Sequence, residues 1–191
     1  MTDAELVDRA RRGDSTAFSE LVDRHRLAVY RAALAAVGSP ADADDVAQDA
    51  FVKAYWRLDG FRGEASFKTW LLTITWRLAI NRRRGITRWL RRTRPAVRDE
   101  ADADGALDIE SGARSPEQQL GDRTLRQAIV AEIRALPPKL RDVLLLAQSG
   151  EYSYEQIGAM VKAPVGTVKW RVSEARRVVK LRLHNRGYTD V

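Results

Sequence analysis

Thr167, Lys169, Trp170, Arg171, Ser173, Glu174, Arg176 and Arg177 crowd hydroxyls, cations, a carboxylate and an indole into one short stretch. Between them Val168, Val172, Ala175 and Val179 recur at intervals of three and four, so on a helix one side is buried and the polar set faces out. Such groups can read base edges and grip phosphates in a DNA major groove. A second set lies between residues 62 and 98, where Arg62, Lys68, Arg77, Arg82, Arg83, Arg84, Arg88, Arg91, Arg92, Arg94 and Arg98 face Glu64 alone. Arginine beside indole rings suits single-stranded DNA, since cations track the backbone while a ring stacks on an unpaired base. A third set, Asp45, Asp49, Val52 and Trp56, is an acidic stripe ending in tryptophan, the composition of a protein-binding face. Bond-making chemistry has no comparable constellation. The chain lacks a glycine-rich phosphate loop, clustered metal ligands and a nucleophile with an orienting histidine, so neither enzyme activity nor a cofactor or metal is expected. There are no cysteines, and His25 and His184 are the two histidines.

The basic stretch near the C-terminus needs a helix-turn-helix to present it. Ser153 and Gln156 form a capping box, Ile157, Met160 and Val161 give a short apolar face, and Pro164 ends that helix. A second helix is expected from about Val165. A terminal amphipathic helix with a solvated basic face is the alternative reading.

The acidic stripe needs a helix of its own. Ser39-Pro40 starts it, with Asp42, Asp44 and Asp45 favourable at the positive end of the dipole. Ala43, Val46, Ala47, Ala50, Phe51, Ala54, Tyr55 and Leu58 are its expected buried side, leaving Asp45, Asp49, Val52 and Trp56 opposite. A solvated face with one stray tryptophan stays open as the plainer reading. Upstream, Thr2 and Glu5 form another capping box. Asp14 or Ser15 caps a helix on the order of 20 residues whose stripe runs from Phe18 to Ala36 and includes His25 as a packing residue.

The helix expected after Ser66 carries two apolar stripes. Phe67, Trp70, Leu71, Ile74 and Leu78 make one; Thr69, Thr73, Trp76 and Ile80 make the other, so one must be exposed or partner-facing. After this tract the charge reverses. Asp99, Glu100, Asp102, Asp104, Asp108, Glu110, Glu117 and Asp122 face only Arg114, and Gly105, Gly112 and Pro116 break any helix, which describes a flexible acidic tether. A second helical domain is expected from about Arg123, its first stripe being Leu125, Ala128, Ile129, Ile133 and Leu136, stopped by Pro137-Pro138.

At 191 residues and a net charge of +7, the chain fits two small helical domains and a polyanionic partner, either nucleic acid or an acidic membrane surface. No apolar run approaches the ~20 residues of a membrane span, and no secretory leader opens the chain, so a cytoplasmic protein without membrane insertion is expected.

Five stretches carry a resemblance. Leu136-Pro137-Pro138-Lys139-Leu140-Arg141-Asp142-Val143-Leu144-Leu145-Leu146, followed by Gly150, Tyr152-Ser153-Tyr154-Glu155-Gln156-Ile157 and Gly166-Thr167-Val168-Lys169 resemble region 4 of bacterial extracytoplasmic-function sigma factors of the sigma-70 family. Trp170 and Glu174 depart from that pattern, where the family usually has serine and often a basic residue. Asp42 to Tyr55 resembles region 2.2, which clasps a coiled coil of the polymerase β′ subunit; Phe61-Arg62-Gly63-Glu64-Ala65-Ser66-Phe67-Lys68-Thr69-Trp70-Leu71 resembles region 2.3, which opens the promoter and holds an extruded base of the −10 element.

The resemblance implies an all-α architecture: a region 2 domain over 1–96, an acidic linker over 97–122 and a region 4 helix-turn-helix domain over 123–191. It implies a sigma factor whose partners are core RNA polymerase, through its β′ and β subunits, promoter DNA and an anti-sigma factor. By position it assigns Asp45, Gln48, Asp49, Val52, Lys53 and Trp56 to the polymerase. Arg62, Gly63, Ser66, Phe67, Thr73, Trp76, Arg77, Arg82, Arg83 and Arg84 go to −10 binding and melting, with Trp76 a stacking candidate or a packing residue and the three consecutive arginines duplex backbone contacts. Ser153, Thr167, Lys169, Trp170, Arg171, Ser173, Glu174, Arg176 and Arg177 go to the −35 element. The competing reading is a stand-alone helix-turn-helix repressor or activator with an N-terminal sensor or dimerisation domain. Such a domain has no need of the 62–98 basic tract or of the Asp42 to Tyr55 match.

Overall fold

In the computed structural model, which describes residues 1–93 and 116–188, helices start where short polar side chains can satisfy their free N–H groups. Helix α1 (Asp3–Arg11) opens with the expected reciprocal box: Thr2 N–H donates to Glu5 Oε2 at 2.7 Å and Glu5 N–H to Thr2 Oγ1 at 3.3 Å. Helix α2 (Ser15–Val37) is capped by Asp14, whose carboxylate accepts from the Thr16 and Ala17 N–H groups, and Gly38 ends it with φ of 77°. Helix α3 (Pro40–Trp56) has Ser39 as its cap and proline in its first turn. A single 3₁₀ turn, Leu58–Gly60, leads to the loop before α4 (Phe67–Thr93). The described residues contain no strand.

Helices α1 to α4 form the first domain, with α2 packed on α1, α3 and α4. Ala32, Ala33 and Ala36 on α2 are buried together with Ala43, Ala50 and Ala54 on α3, small side chains that let the backbones approach. Leu21, Val29, Leu71 and Leu72 fill the space between, each fully buried and worth about 1.5–3 kcal/mol by transfer from water. His25 is a packing residue as expected: buried, it places Nε2 2.8 Å from Asp3 Oδ2 and ties α2 to α1.

Helix α4 departs from the two-stripe expectation. It packs against α2, α3 and also α7 of the second domain, so neither stripe is left to solvent. Leu71, Leu72, Thr75, Trp76 and Ala79 are all buried, and the Thr75 hydroxyl is satisfied by donating to the Leu71 carbonyl at 2.9 Å. A helix apolar on most sides is a helix enclosed on most sides.

The second domain comprises α5 (Pro116–Arg134), α6 (Pro138–Gln148), α7 (Tyr154–Val161) and α8 (Val165–Asn185). Helix α5 begins at Pro116, ahead of the expected start near Arg123, because proline is tolerated in a first turn whose N–H has no partner to lose. Of the expected tether, 97–115 lies outside the described residues, and 116–122 belongs to α5. Ser153 caps α7 through the expected box with Gln156, and Lys162, at φ of 53°, turns the chain toward α8. Gly158 makes this turn possible, since a Cβ there would lie 2.7 Å from the Ala163 carbonyl oxygen. Glu132, 3% exposed, is paired with Arg186 at 2.7 Å and Arg182 at 3.5 Å, joining α5 to α8.

The two domains touch. The apolar cluster of the first runs without a break into Val143, Leu146, Tyr152, Ile157 and Met160 of the second, whereas Ile133, Leu136, Leu144, Ala175, Val179 and Leu183 form a separate core inside the second domain.

Candidate nucleic-acid and polymerase interfaces

Packing of α3 through Ala43, Val46, Ala50 and Ala54 turns the opposite side outward. Asp45, Gln48, Asp49, Val52, Lys53 and Trp56 are all exposed, Trp56 at 79% and Val52 at 57%. The tryptophan is not loose. Its ring meets Tyr55 edge-on at 6.0 Å, and Tyr55 in turn meets Phe18 of α2 at 5.0 Å, so an exposed anchor stands on a braced aromatic row. Tyr55 itself is 45% exposed and not buried as its spacing suggested: its ring lies edge-on against Phe18 and Trp56, beside the buried Ala54. Val52, Lys53 and Trp56 line a shallow depression with Asp49, Arg57 and Leu78.

The loop before α4 is fixed from three sides. Arg11 of α1 donates through Nε and Nη2 to the Leu58 carbonyl at 3.1 Å each, and also to the Phe61 carbonyl. Phe61, Phe67 and Trp70 meet edge-on or tilted with centroids 5.2 to 5.9 Å apart, tying the start of the loop to the first turn of α4. Ser66 caps α4, its Oγ accepting from the Thr69 N–H at 3.2 Å. This frame opens a cleft walled by Arg62, Gly63, Thr69, Thr73, Ile74 and Arg77, so four of the expected −10 residues, Arg62, Gly63, Thr73 and Arg77, come together. Sequence reasoning missed the contribution of Arg11, whose partner carbonyls lie far along the chain.

Two residues assigned to this surface are not on it. Trp76 and Phe67 are each 3% exposed, so Trp76 packs and has no face to offer an unpaired base, and Phe67 supports the loop from below. The three arginines also differ from one another. Arg84 is exposed. Arg82 is half-exposed and bonded to Asp42 Oδ1 at 2.8 Å and Asp45 Oδ2 at 3.1 Å. Arg83, 19% exposed, donates through Nη2 to Asp142 Oδ1 at 2.8 Å and through Nη1 to the Ala36 carbonyl at 3.2 Å.

On α8, burial of Val168, Val172, Ala175 and Val179 leaves Lys169, Trp170, Ser173, Arg176 and Arg177 exposed, with Thr167, Arg171 and Glu174 at the margins. Ser153 is exposed at the start of α7. Trp170 stands 63% exposed in the middle of this face. Glu174 and Arg177 form a two-point fork, Nε and Nη2 each 2.8 Å from a carboxylate oxygen. That hydrogen bonding holds the Glu174 carboxyl below its ordinary value and raises the Arg177 guanidinium.

Among the described residues the fold is all-helical, and three outward faces carry the cations, hydroxyls, acids and exposed indoles singled out in the sequence. The Sigma-70 region 2 family matches residues 21–90 and the Sigma-70 region 4 family matches residues 126–179. The chain is 37% identical over 184 residues to the ECF RNA polymerase sigma-E factor of Escherichia coli (strain K12), covering 94% of this chain and 93% of that protein. To the ECF RNA polymerase sigma factor SigW of Bacillus subtilis (strain 168) it is 30% identical over 185 residues, covering 94% and 95%. The fold is similar to CnrH in complex with the cytosolic domain of CnrY, with a TM-score of 0.62, 25% identity and 96% and 97% of the chains covered. It is also similar to the sigma factor RpoE in complex with the anti-sigma factor NepR from Bartonella quintana, with a TM-score of 0.59, 25% identity and coverage of 91% and 98%. The chain belongs to the extracytoplasmic-function sigma factors of the sigma-70 family and directs transcription initiation. The repressor reading is thereby set aside. No helix among the described residues is long and apolar enough to cross a membrane.

Proposed function

We propose that the chain works in the cytoplasm as a non-enzymatic specificity subunit, with three surfaces divided between polymerase and promoter. The exposed side of α3 docks on a coiled coil of the β′ subunit, Trp56 entering as the apolar anchor and Asp45 and Asp49 orienting it by charge. The loop cleft with Arg62, Gly63, Thr73 and Arg77 takes an extruded −10 base, Ser66 holds the loop at the start of α4, and Arg82, Arg83 and Arg84 lie along the flanking backbone. The outer face of α8 enters the major groove of the −35 element. Contacts to the β subunit complete the docking, and an anti-sigma factor restrains the chain, a reading supported by the complex of RpoE with the anti-sigma factor NepR.

The observation that carries this reading is the coincidence on α3. The six residues assigned to polymerase by sequence are all solvent-facing, while every buried position of that helix lies opposite. Titration of the chain into labelled core polymerase tests it, with Asp49→Lys expected to bind at least tenfold more weakly by reversing the charge that orients the contact. Binding unaffected by charge reversal moves the docking surface elsewhere.

A further inference from the structure

Glu174 is the single acid of α8, on a helix that also carries Lys169, Arg171, Arg176, Arg177, Lys180 and Arg182. It lies one turn after Trp170 and three residues before Arg177, both exposed, the spacings that set helix side chains next to one another. Toward DNA a carboxylate is repelled by phosphate, so an acid at this place calls for a donor to meet it. Its side chain is 26% exposed, and Arg177 holds it in a fork, Nε and Nη2 each donating to one carboxylate oxygen at 2.8 Å. An exposed ion pair of this kind adds little stability, which leaves the acid unexplained by folding alone.

We propose that the Glu174–Arg177 fork is a composite reader of one C·G base pair in the −35 element, Glu174 accepting from the cytosine amino group while Arg177 donates to the paired guanine. This role rests on the reading of α8 as the −35 face. An ionised carboxylate only accepts, with roughly four lone-pair sites, and the fork engages one on each oxygen. The others stay open. Arg177 likewise uses Nε–H and one Nη2 hydrogen, which leaves Nη1 and the second Nη2 hydrogen on a side chain that is 64% exposed. The pair therefore presents an acceptor and a donor side by side. In the major groove a C·G pair shows the matching order, the N4 amino donor of cytosine next to the O6 and N7 acceptors of guanine.

Other bases meet the fork badly. Thymine turns the O4 acceptor toward the carboxylate, and adenine offers N6–H but sets the N7 lone pair beside it. The cations of α8 only donate, and the Thr167 and Ser173 hydroxyls both donate and accept, so Glu174 is what lets this face tell cytosine from thymine. Two hydrogen bonds also hold both side chains in one arrangement before DNA arrives, so less rotamer freedom is lost on binding. A helical turn advances about 5.4 Å and a base step about 3.4 Å, which places Trp170 over a pair one or two steps away and leaves this one to the fork.

The test is selection by holoenzyme, core polymerase loaded with the full chain, from promoter duplexes randomised across both elements. Recovered sequences are compared for the parent, Glu174→Gln, Glu174→Ala and Arg177→Ala. The parent should enrich a C·G pair about tenfold or more at one −35 position. Glu174→Ala should lose that preference at that position alone, and Arg177→Ala should weaken it there. Glu174→Gln should move it toward A·T, since glutamine bonds adenine through N6 and N7 together, a switch that loss of a merely stabilising ion pair would not produce. Glu174→Gln keeps the length and shape of the side chain and carries the test if Glu174→Ala loses helicity. Identical profiles for the parent and both Glu174 variants, an affinity change uniform across sequences, or a Glu174-sensitive position that prefers any pair other than C·G overturns the proposal. A parent that enriches nothing at −35 defeats the reading of α8 and the fork with it, whereas −35 enrichment indifferent to Glu174 defeats the fork alone.

Discussion

Arg82 Nη2 lies 3.1 Å from Asp45 Oδ2, joining a cation of α4 to an acid on the outward side of α3. Asp42, at 2.8 Å from Arg82 Nε, completes the bridge, and its hydrogen bond is the main cause of the raised Arg82 guanidinium. Both partners are well exposed to solvent, so the Arg82–Asp45 pair contributes about 0–1 kcal/mol. In a double-mutant cycle of Asp45→Asn and Arg82→Gln, the coupling measured by thermal unfolding should stay below about 1 kcal/mol, whereas Asp45→Asn alone should weaken core binding. A coupling of several kcal/mol would make Asp45 a structural residue and take it from the docking face.

Gly158→Ala sets two effects against each other. Alanine favours a helix over glycine by about 1 kcal/mol, but here its Cβ meets a backbone oxygen 2.7 Å away, which only a shift of the turn between α7 and α8 can relieve. A net loss of about 1–3 kcal/mol in urea unfolding is expected. Unchanged or raised stability would show that the turn yields freely.

Asp14 links stability to acidity. Hydrogen bonds from Thr16 and then Arg9 bring its carboxyl from an ordinary 3.8 to about 2. A group lowered on folding contributes stability that is complete above its unfolded value and fades as pH falls through its folded value, here from about 3.8 through about 2. Asp14→Asn retains the cap and removes the titration. The parent should therefore melt higher than the variant at pH 6, and the gap should narrow as pH approaches 2. A gap independent of pH over that window would deny the carboxylate this role.

On α8, Arg171→Ala and Arg176→Ala should weaken −35 recognition. A base-reading arginine costs about 1–3 kcal/mol at one position of the element, while a phosphate-binding arginine lowers affinity across sequences and reduces the salt slope by about one. Holoenzyme binding to single-base promoter variants at several salt concentrations separates the roles. Two variants with parental affinity and salt slope would clear that face of a recognition role.

Local chemistry was the most legible part of the fold. Thr2, Asp14, Ser39, Ser66 and Ser153 cap helices as their spacing indicates, because a cap needs only a short side chain and the next three residues. The outward face of α3 was equally plain, since a narrow alanine and valine stripe fixes the opposite side. Trp76 was not legible. Its neighbours allow either face of α4 to be outward, and what buries the helix so completely includes α7, far away in sequence. Arg83 presents the same difficulty, as its partner Asp142 is supplied by the other domain. Glu117 and Asp122 looked like parts of an acidic tether because charge is counted without regard to the helix that carries it.

The measurement that bears most directly on the division of labour is a pair of equilibrium titrations. In one, the chain is titrated into labelled core polymerase; in the other, into labelled promoter with and without core, for the parent and for Trp56→Ala. The parent should bind core, and should bind promoter selectively only when core is present. Trp56→Ala should lose about 2 kcal/mol or more of core affinity, the cost of removing a central aromatic anchor, and promoter binding should fall with it. Selective nanomolar-range binding of promoter by the free parent, with core affinity unchanged in Trp56→Ala, would refute both the docking face and the dependence of DNA binding upon it.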